Sequence, residues 1–303
     1  MNISNESFSK YILYNEPLSK HTTFKVGGPA QYYIHAPLSD FVDVCANVMR
    51  YTKENNIPLF VLGGGANIVF ADTGFKGIVL DTTANTMQPE QNENYLTFLS
   101  GTKSSDASCY ARSLSLSGLE FLNGLPGTIG GAVRMNARCF EHSVSDKIVQ
   151  VEILDETQKR ICIPFNAPDW DYKKSPFQKD NIIILSAKFK LEQKDKTAIT
   201  QEMDLFLQQR ESKGHFRYPS AGSVFKNNRS LGKSAGQIID ELGLRGIQIG
   251  GAQIAPWHGN FIINLGGASS ADIAALVTLA KENAQTKLGI TLEPEIIFVP
   301  AKP

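Results

Sequence analysis

Two glycine runs offer the first chemistry in this sequence. Gly118, Gly124, Gly127, Gly130 and Gly131, with Pro126, fall inside the single stretch 118–136. Glycine and proline at that density disfavour a helix or strand interior and favour a tight turn. The exposed amides of such a turn can converge on an anion, and a diphosphate is the usual cellular candidate. A plain surface loop is the competing reading of any one run. A second run, Gly63-Gly64-Gly65-Ala66-Asn67, directly follows the strand-like Pro58-Leu59-Phe60-Val61-Leu62. Two separate backbone cradles suit an extended dinucleotide better than two unrelated turns. They are not a Rossmann unit. A G-x-G-x-x-G fingerprint begun at Gly63 would put its last glycine at Ile68, and no helical pattern follows. The five histidines form no ligand spacing with the four cysteines, so no metal is expected.

Further segments extend the pattern. His21-Thr22-Thr23-Phe24-Lys25-Val26-Gly27-Gly28, the run 63–67, the stretch 118–136, Ser220-Ala221-Gly222-Ser223-Val224-Phe225-Lys226-Asn227, His258-Gly259-Asn260-Phe261 and Leu292-Glu293-Pro294-Glu295 follow one another along nearly the whole chain. Together they resemble, in order, the signatures of the UDP-N-acetylenolpyruvoylglucosamine reductase family of peptidoglycan precursor synthesis. The short interval from Tyr172 to Ser223 resembles the subgroup lacking an extra tyrosine-bearing loop. The resemblance implies an α+β fold. A two-lobed FAD-binding domain of the PCMH or vanillyl-alcohol-oxidase kind would precede an α+β substrate-binding domain. The expected divisions are an N-terminal arm 1–20, an FAD-binding domain 21–195 with lobes at about 21–81 and 82–195, and a substrate-binding domain 196–303.

The activity so implied uses FAD and NADPH. NADPH would reduce bound FAD, and hydride would pass to the vinyl carbon of UDP-N-acetylglucosamine-enolpyruvate, giving UDP-N-acetylmuramate. The flavin performs the hydride chemistry while the protein positions it and manages charge. An enol ether bearing a carboxylate is a poor hydride acceptor, so cations or acids must meet the developing charge and a proton must reach the adjacent carbon. By the resemblance, Ser223 donates that proton, Glu295 assists the charge shift, and Lys173 stands where an arginine stabilises the enolate. Gly63, Gly64, Gly65, Ala66 and Asn67 would hold the flavin together with Pro126, Gly127, Thr128, Ile129, Gly130, Gly131 and Ala132. Tyr172, Lys226, Asn227 and Asn260 would bind substrate. His258 and Asn260 also suit packing and polar positioning. Taken alone, Ser223 reads as a turn serine, Glu295 as an exposed strand carboxylate and Lys226 as a solvated lysine. Glu293 lies two residues from Glu295 on the same face of a strand, so the choice between them rests on the family's pattern.

Several positions depart from that pattern. Trp170-Asp171-Tyr172-Lys173-Lys174-Ser175 carries lysine where the family has Tyr-Arg, which keeps the charge and loses the planar fork. Lys174 is an alternative cation. Arg138-Cys139-Phe140-Glu141 replaces a Gly-Ala-Tyr-Gly turn, Gly259 replaces alanine, and Gly214-His215 replaces Gln-Pro. Two rival readings follow: another flavin oxidase or dehydrogenase of the same general fold, and a flavin- or nucleotide-sugar-binding protein without catalysis. The first leaves the serine and glutamate motifs unexplained, and the second leaves the joint presence of Ser223, Lys226 and Glu295 unexplained.

Composition bounds the rest. At 303 residues the chain can form two or three domains with a substantial core. Thirty basic and 30 acidic residues cancel, so neither nucleic acid nor an anionic membrane is an expected partner. Cys45, Cys109, Cys139 and Cys162 are scattered without a disulfide-like framework, no apolar run approaches the roughly 20 residues that span a bilayer, and no signal peptide is evident. A cytoplasmic location is expected. Oligomeric state is left open, with a monomer favoured.

The elements that must position these residues alternate helix and strand before a strand-rich portion. Residues 1–20 read as a helix or arm and 31–36 as a strand. Phe41, Val44, Cys45, Val48 and Met49 read as one helical face, capped by Ser39 or Asp40. Strands are expected at 58–62, 77–81 and 95–100, with a helix at 105–116. Strands then follow at 148–154, 160–163 and 181–191, the first two joined by a turn at 155–158. The last portion reads as a helix at 199–213, a helix holding Ala235, Ile238, Ile239 and Leu242 that stops at Gly243, and strands at 247–254 and 260–265. A helix at 271–288, capped by Ser269 or Ser270 and stopped by Gly289, precedes a closing strand at 291–299.

Overall fold

In chain order the principal strands are β1 (Ile12–Pro17), β2 (Pro29–His35), β3 (Leu59–Leu62), β4 (Ile68–Phe70), β5 (Phe75–Asp81), β6 (Glu90–Asn92) and β7 (Tyr95–Leu99). They continue as β8 (Ile148–Leu154), β9 (Arg160–Pro164), β10 (Ile183–Lys190), β11 (Gln248–Ile249), β12 (Ala252–Ile254), β13 (Ile262–Asn264) and β14 (Ile297–Val299). The helices are α1 (Phe41–Asn55), α2 (Ser104–Ser113), α3 (Ile129–Arg134), α4 (Lys196–Ser212), α5 (Ala235–Glu241) and α6 (Ser270–Leu288). This is a computed structural model, and it describes residues 3–178 and 182–299. Residue 181, expected to begin a strand, lies outside the described residues.

Packing divides the chain into two units that interleave in sequence. Unit 1 takes the residues up to Tyr14, Tyr32–Gly64 and Lys76–Gln208, and unit 2 takes Asn15–Gln31, Gly65–Phe75 and the chain from Gln209 on. Residues 15–31 and 65–75 therefore pack with the C-terminal portion, whereas contiguous divisions were expected. Backbone hydrogen bonds explain this. The Gly28 N–H donates to the Ala71 carbonyl at 2.9 Å, the Ala71 N–H to Val299 at 2.8 Å, and the Ile297 N–H to Asn67 at 2.9 Å.

Unit 1 contains β3 and those parts of β1, β2 and β5 that fall within its ranges, in the sheet order β1-β2-β5-β3, and an antiparallel sheet in the order β9-β8-β10-β7-β6. β3 and β5 are parallel, with Leu62 opposite Asp81. Where residues 1–20 read as a helix or arm, the segment from Ile3 on forms no α-helix but β1, flanked by short 3-10 turns. α1 buries Phe41, Val44, Cys45, Val48 and Met49 as its spacing requires. Asp40 occupies the N-cap position without a side-chain capping bond, because its carboxylate accepts instead from Tyr11, Lys10 and Ser39. The largest correction lies in the stretch 118–136, where Gly130 and Gly131 sit inside α3. Helical glycine costs about 0.5–1 kcal/mol relative to alanine. Tertiary packing offsets it: Ile129 and Val133 of α3 join a core with Phe98, Ala187 and Phe189.

Unit 2 holds the antiparallel sheet β11-β12-β13 and the parallel pair β14-β4. The strand expected over 247–254 is a hairpin folded at Gly250-Gly251, with Ile249 opposite Ala252. Gly250 has φ +53°, a left-handed conformation that glycine adopts without penalty. α6 buries Ile273, Leu276, Val277, Ala280 and Ala284. Ser269 caps it in a reciprocal pair with Asp272, and Gly289 ends it at φ +66°. Only Ile297–Val299 of the expected closing strand is regular.

Candidate active site

β3 delivers Gly63 and Gly64 against the 127–128 backbone. A methyl group on Gly64 would lie 2.6 Å from the Gly127 Cα, and one on Gly63 would lie 2.8 Å from Thr128 Oγ1. The two glycine runs thus meet backbone to backbone, and their composition reflects this close approach as much as turn geometry. The amides of 129–132 are committed within unit 1. Ile129 N–H donates to the Thr102 carbonyl and Gly130 N–H to Ser100, both at 2.8 Å. Gly131 N–H donates to Thr128 Oγ1 at 3.4 Å and Ala132 N–H to the Thr128 carbonyl at 2.8 Å. The expectation that these amides converge on an anion therefore transfers to neighbouring groups. Beside the crossing, the buried hydroxyls of Thr102 and Ser104 flank Lys103, which bridges Thr128, and neither hydroxyl makes a hydrogen bond within the structure. Buried polar groups are ordinarily satisfied. Close-packed glycines with orphaned hydroxyls beside them are what a polar dinucleotide cofactor such as FAD would use. The 63–67 run divides: Gly65 lies in unit 2, where its carbonyl accepts the Thr23 N–H at 3.1 Å.

The Tyr172–Lys173 turn is clamped to the end of α3. Arg134 Nη1 donates to the Phe177 carbonyl at 2.7 Å, Ser175 Oγ donates to the Arg134 carbonyl at 2.7 Å, and Asn136 Nδ2 donates to the Asp171 carbonyl at 2.9 Å. Asp171 and Lys174 close the turn, and Lys173 sits at φ +57°. A lysine held there stores roughly 1–2 kcal/mol of local strain. Arg134 and Asn136 as clamps were not legible as such, because nothing in their spacing links 134–136 to 171–177.

In unit 2 the segment 223–226 runs between two others. Gly222, at φ +71°, turns the chain into it, and Ser223 bridges Phe261. The Val224 N–H donates to the Asn260 carbonyl at 3.0 Å, and on the other side the Glu295 N–H donates to the Val224 carbonyl at 2.7 Å. Asn260 is buried, with Oδ1 accepting the Phe225 N–H and Nδ2 donating to the Phe225 carbonyl, each at 2.8 Å. Lys226 Nζ contacts Glu293 Oε1 at 2.6 Å. Asn227 Oδ1 accepts the Ala235 N–H at 2.9 Å, at the start of α5. The structure thus brings Ser223, Lys226, Asn260 and Glu295 into one backbone network. It also separates the two glutamates: Glu293 is exposed and paired to Lys226, whereas Glu295 is half-buried and its carbonyl accepts from Asn67 Nδ2 at 2.9 Å.

His258 Nδ1 accepts the Asn260 N–H at 3.2 Å, and burial lowers the His258 pKa. Burial, then Arg210, His258 and Lys213, take His215 down to about 4. Both imidazoles are packed structural groups. Among the described residues no cluster of histidine, cysteine, aspartate or glutamate could hold a metal ion.

A glycine crossing edged by orphaned hydroxyls in one unit and a serine–lysine–glutamate network in the other describe a flavin-dependent oxidoreductase. Residues 13–161 match the family pattern of an FAD-binding domain, and residues 214–299 match the C-terminal domain of UDP-N-acetylenolpyruvoylglucosamine reductase. The chain is 39% identical to the UDP-N-acetylenolpyruvoylglucosamine reductase of Treponema denticola, with 95% of this chain and 93% of the relative covered. It is 36% identical to that of Listeria monocytogenes, with 94% of each covered. The crystal structure of the Thermus caldophilus reductase superposes with a TM-score of 0.77 at 30% identity, covering 94% of this chain and 97% of that one. The chain belongs to the UDP-N-acetylenolpyruvoylglucosamine reductase family.

Proposed function

We propose that the chain catalyses the NADPH-dependent reduction of UDP-N-acetylglucosamine-enolpyruvate to UDP-N-acetylmuramate, in the cytoplasm, for peptidoglycan precursor synthesis. The observation that carries this reading is the network around 223–226, which orders a serine, a lysine and a glutamate along paired backbone segments. When bound, FAD supplies hydride transfer from NADPH to the vinyl carbon. Unit 1 residues are assigned to the cofactor: Gly63, Gly64 and 126–132 by close backbone approach, and Thr102 and Ser104 by their hydroxyls. Gly65, Ala66 and Asn67 in unit 2 keep the same assignment. In unit 2, Ser223 gives its proton to the carbon next to the one receiving hydride. The hydroxyl is a weak acid, so it acts only on a strongly basic centre and only from close range. Glu295 assists the shift of charge onto the substrate carboxylate region, and Lys173 meets that charge as a point cation. Lys226 and Asn227 bind the anionic sugar nucleotide, with Tyr172 beside Lys173.

The test is an anaerobic visible spectrum of the FAD-loaded protein. Flavin absorbance should bleach with NADPH and return on addition of the enolpyruvyl sugar. Absorbance that bleaches and does not return assigns the chain to another acceptor, and a protein that takes up no FAD overturns the reading altogether.

A further inference from the structure

Asn260 is 2% exposed, and its carboxamide meets both polar groups of one backbone residue, Phe225, at 2.8 Å each. It therefore acts as a substitute strand. Around it, regular pairing is reduced to the isolated bridges Ser223↔Phe261 and Phe225↔Pro294. Ser223 precedes and Lys226 follows the stretch whose backbone this side chain grips. We propose that Asn260 is a positioning residue that sets the placement of Ser223, and that it does not contact the sugar nucleotide. This rests on the reading of Ser223 as the proton donor. Displacement of a reacting group by about 1 Å can cost on the order of 100-fold in rate, so a single backbone grip of this kind has kinetic consequences.

Asn260→Asp separates positioning from simple stability. A protonated aspartic acid can donate and accept as the amide does, whereas its carboxylate can only accept. The carboxylate would leave the Phe225 carbonyl without its donor in a buried place, and burial favours the protonated form as pH falls. The ionisable groups around residue 260 are His258, His215, Lys213 and the Asp240–Arg245 pair behind Gly259, with Lys226, Glu293 and Glu295 along the neighbouring segments. All are common to parent and variant, so the ratio of their rates isolates residue 260.

In the holoenzyme the sugar-dependent half-reaction of N260D should fall about 10-fold or more at about pH 8 and recover to within about 3-fold at about pH 5.5. The NADPH-dependent half-reaction should be unchanged. Hydrogen exchange at the Val224 and Glu295 amides, which pair this segment with its two neighbours, is a readout independent of turnover and should be faster than in the parent at the higher pH. In an S223A background the N260D loss should shrink, because no donor is left to position. If N260D fails to fold, Asn260→Ser, which keeps one hydrogen-bonding group, should show a loss confined to the sugar-dependent step. A parent-like rate at high pH, or an equal loss in both half-reactions, overturns the proposal. An impaired S223A beside an unimpaired N260D overturns it alone, whereas a fully active S223A removes the Ser223 assignment and this inference together.

Discussion

Residue by residue, the site separates groups by what already holds them. Ser223→Ala should lower the sugar-dependent rate by about 100- to 10,000-fold and leave flavin reduction by NADPH intact, read by stopped-flow absorbance. Lys173→Arg should keep activity and Lys173→Ala should lose it. Equal steady-state rates in parent, arginine and alanine variants would remove Lys173 from the mechanism. Glu293→Gln frees Lys226 from its carboxylate. An exposed pair is worth up to about 1 kcal/mol, so KM for the sugar nucleotide should fall by at most about five-fold with kcat unchanged. His215 gives a pH dependence of stability. In the unfolded chain it binds its proton below about 6.5, but in the fold only near 4. Unfolding therefore takes up a proton across that window, and stability falls as pH drops through it. The urea midpoint of His215→Phe should be flatter over the same range, and an unchanged slope would show that other groups set it.

At the scale of elements, backbone contact governs the cradle. Gly64→Ala places a methyl 2.6 Å from the Gly127 Cα, where backbone must move. The change should destabilise by about 1–3 kcal/mol and weaken FAD retention, measured by thermal unfolding and flavin release. The hairpin at Arg138–Ser143 turns through Phe140 and Glu141 at φ +50° and +64°, where Asn or Gly is favoured. Phe140 is retained by stacking on Phe206, with ring centroids 4.3 Å apart. Glu141→Asn should therefore raise stability by a few tenths to about 1 kcal/mol, since the exposed Arg138–Glu141 pair it removes contributes little. Most elements were legible, because the apolar faces of α1 and α6, the Ser269 start signal and the Gly289 stop signal follow local chemistry. The hairpin within 247–254 was missed because apolar and polar residues alternate on both sides of the two glycines, as they would along one strand. α3 was missed because glycine's low helix propensity was outweighed by the packing of Ile129 and Val133.

For the whole molecule, the interleaving of the units has a mechanical consequence. A fragment spanning 209–303 lacks β4, the parallel partner of β14, and lacks Phe24, whose carbonyl accepts from the buried Asn264 at 2.9 Å. Such a fragment should show no cooperative unfolding by circular dichroism, and a cooperative transition would make the two inserted segments dispensable. By itself the sequence determined the α+β class, the family, the glycine runs, and Ser223, Lys226 and Glu295 as candidates. These depend on residue type and on neighbours a few positions away. Tertiary structure alone decided that Gly63 and Gly64 abut 127–128, that the amides of 129–132 are consumed by Ser100, Thr102 and Thr128, that Arg134 and Asn136 clamp the Lys173 turn, and that Asn260 grips Phe225. Each is a contact between residues more than 30 positions apart, except the Thr128 bonds and those to Ser100 and Thr102, which span α2 and the loop after it. Loop closure and burial set such pairings, and no local spacing encodes them.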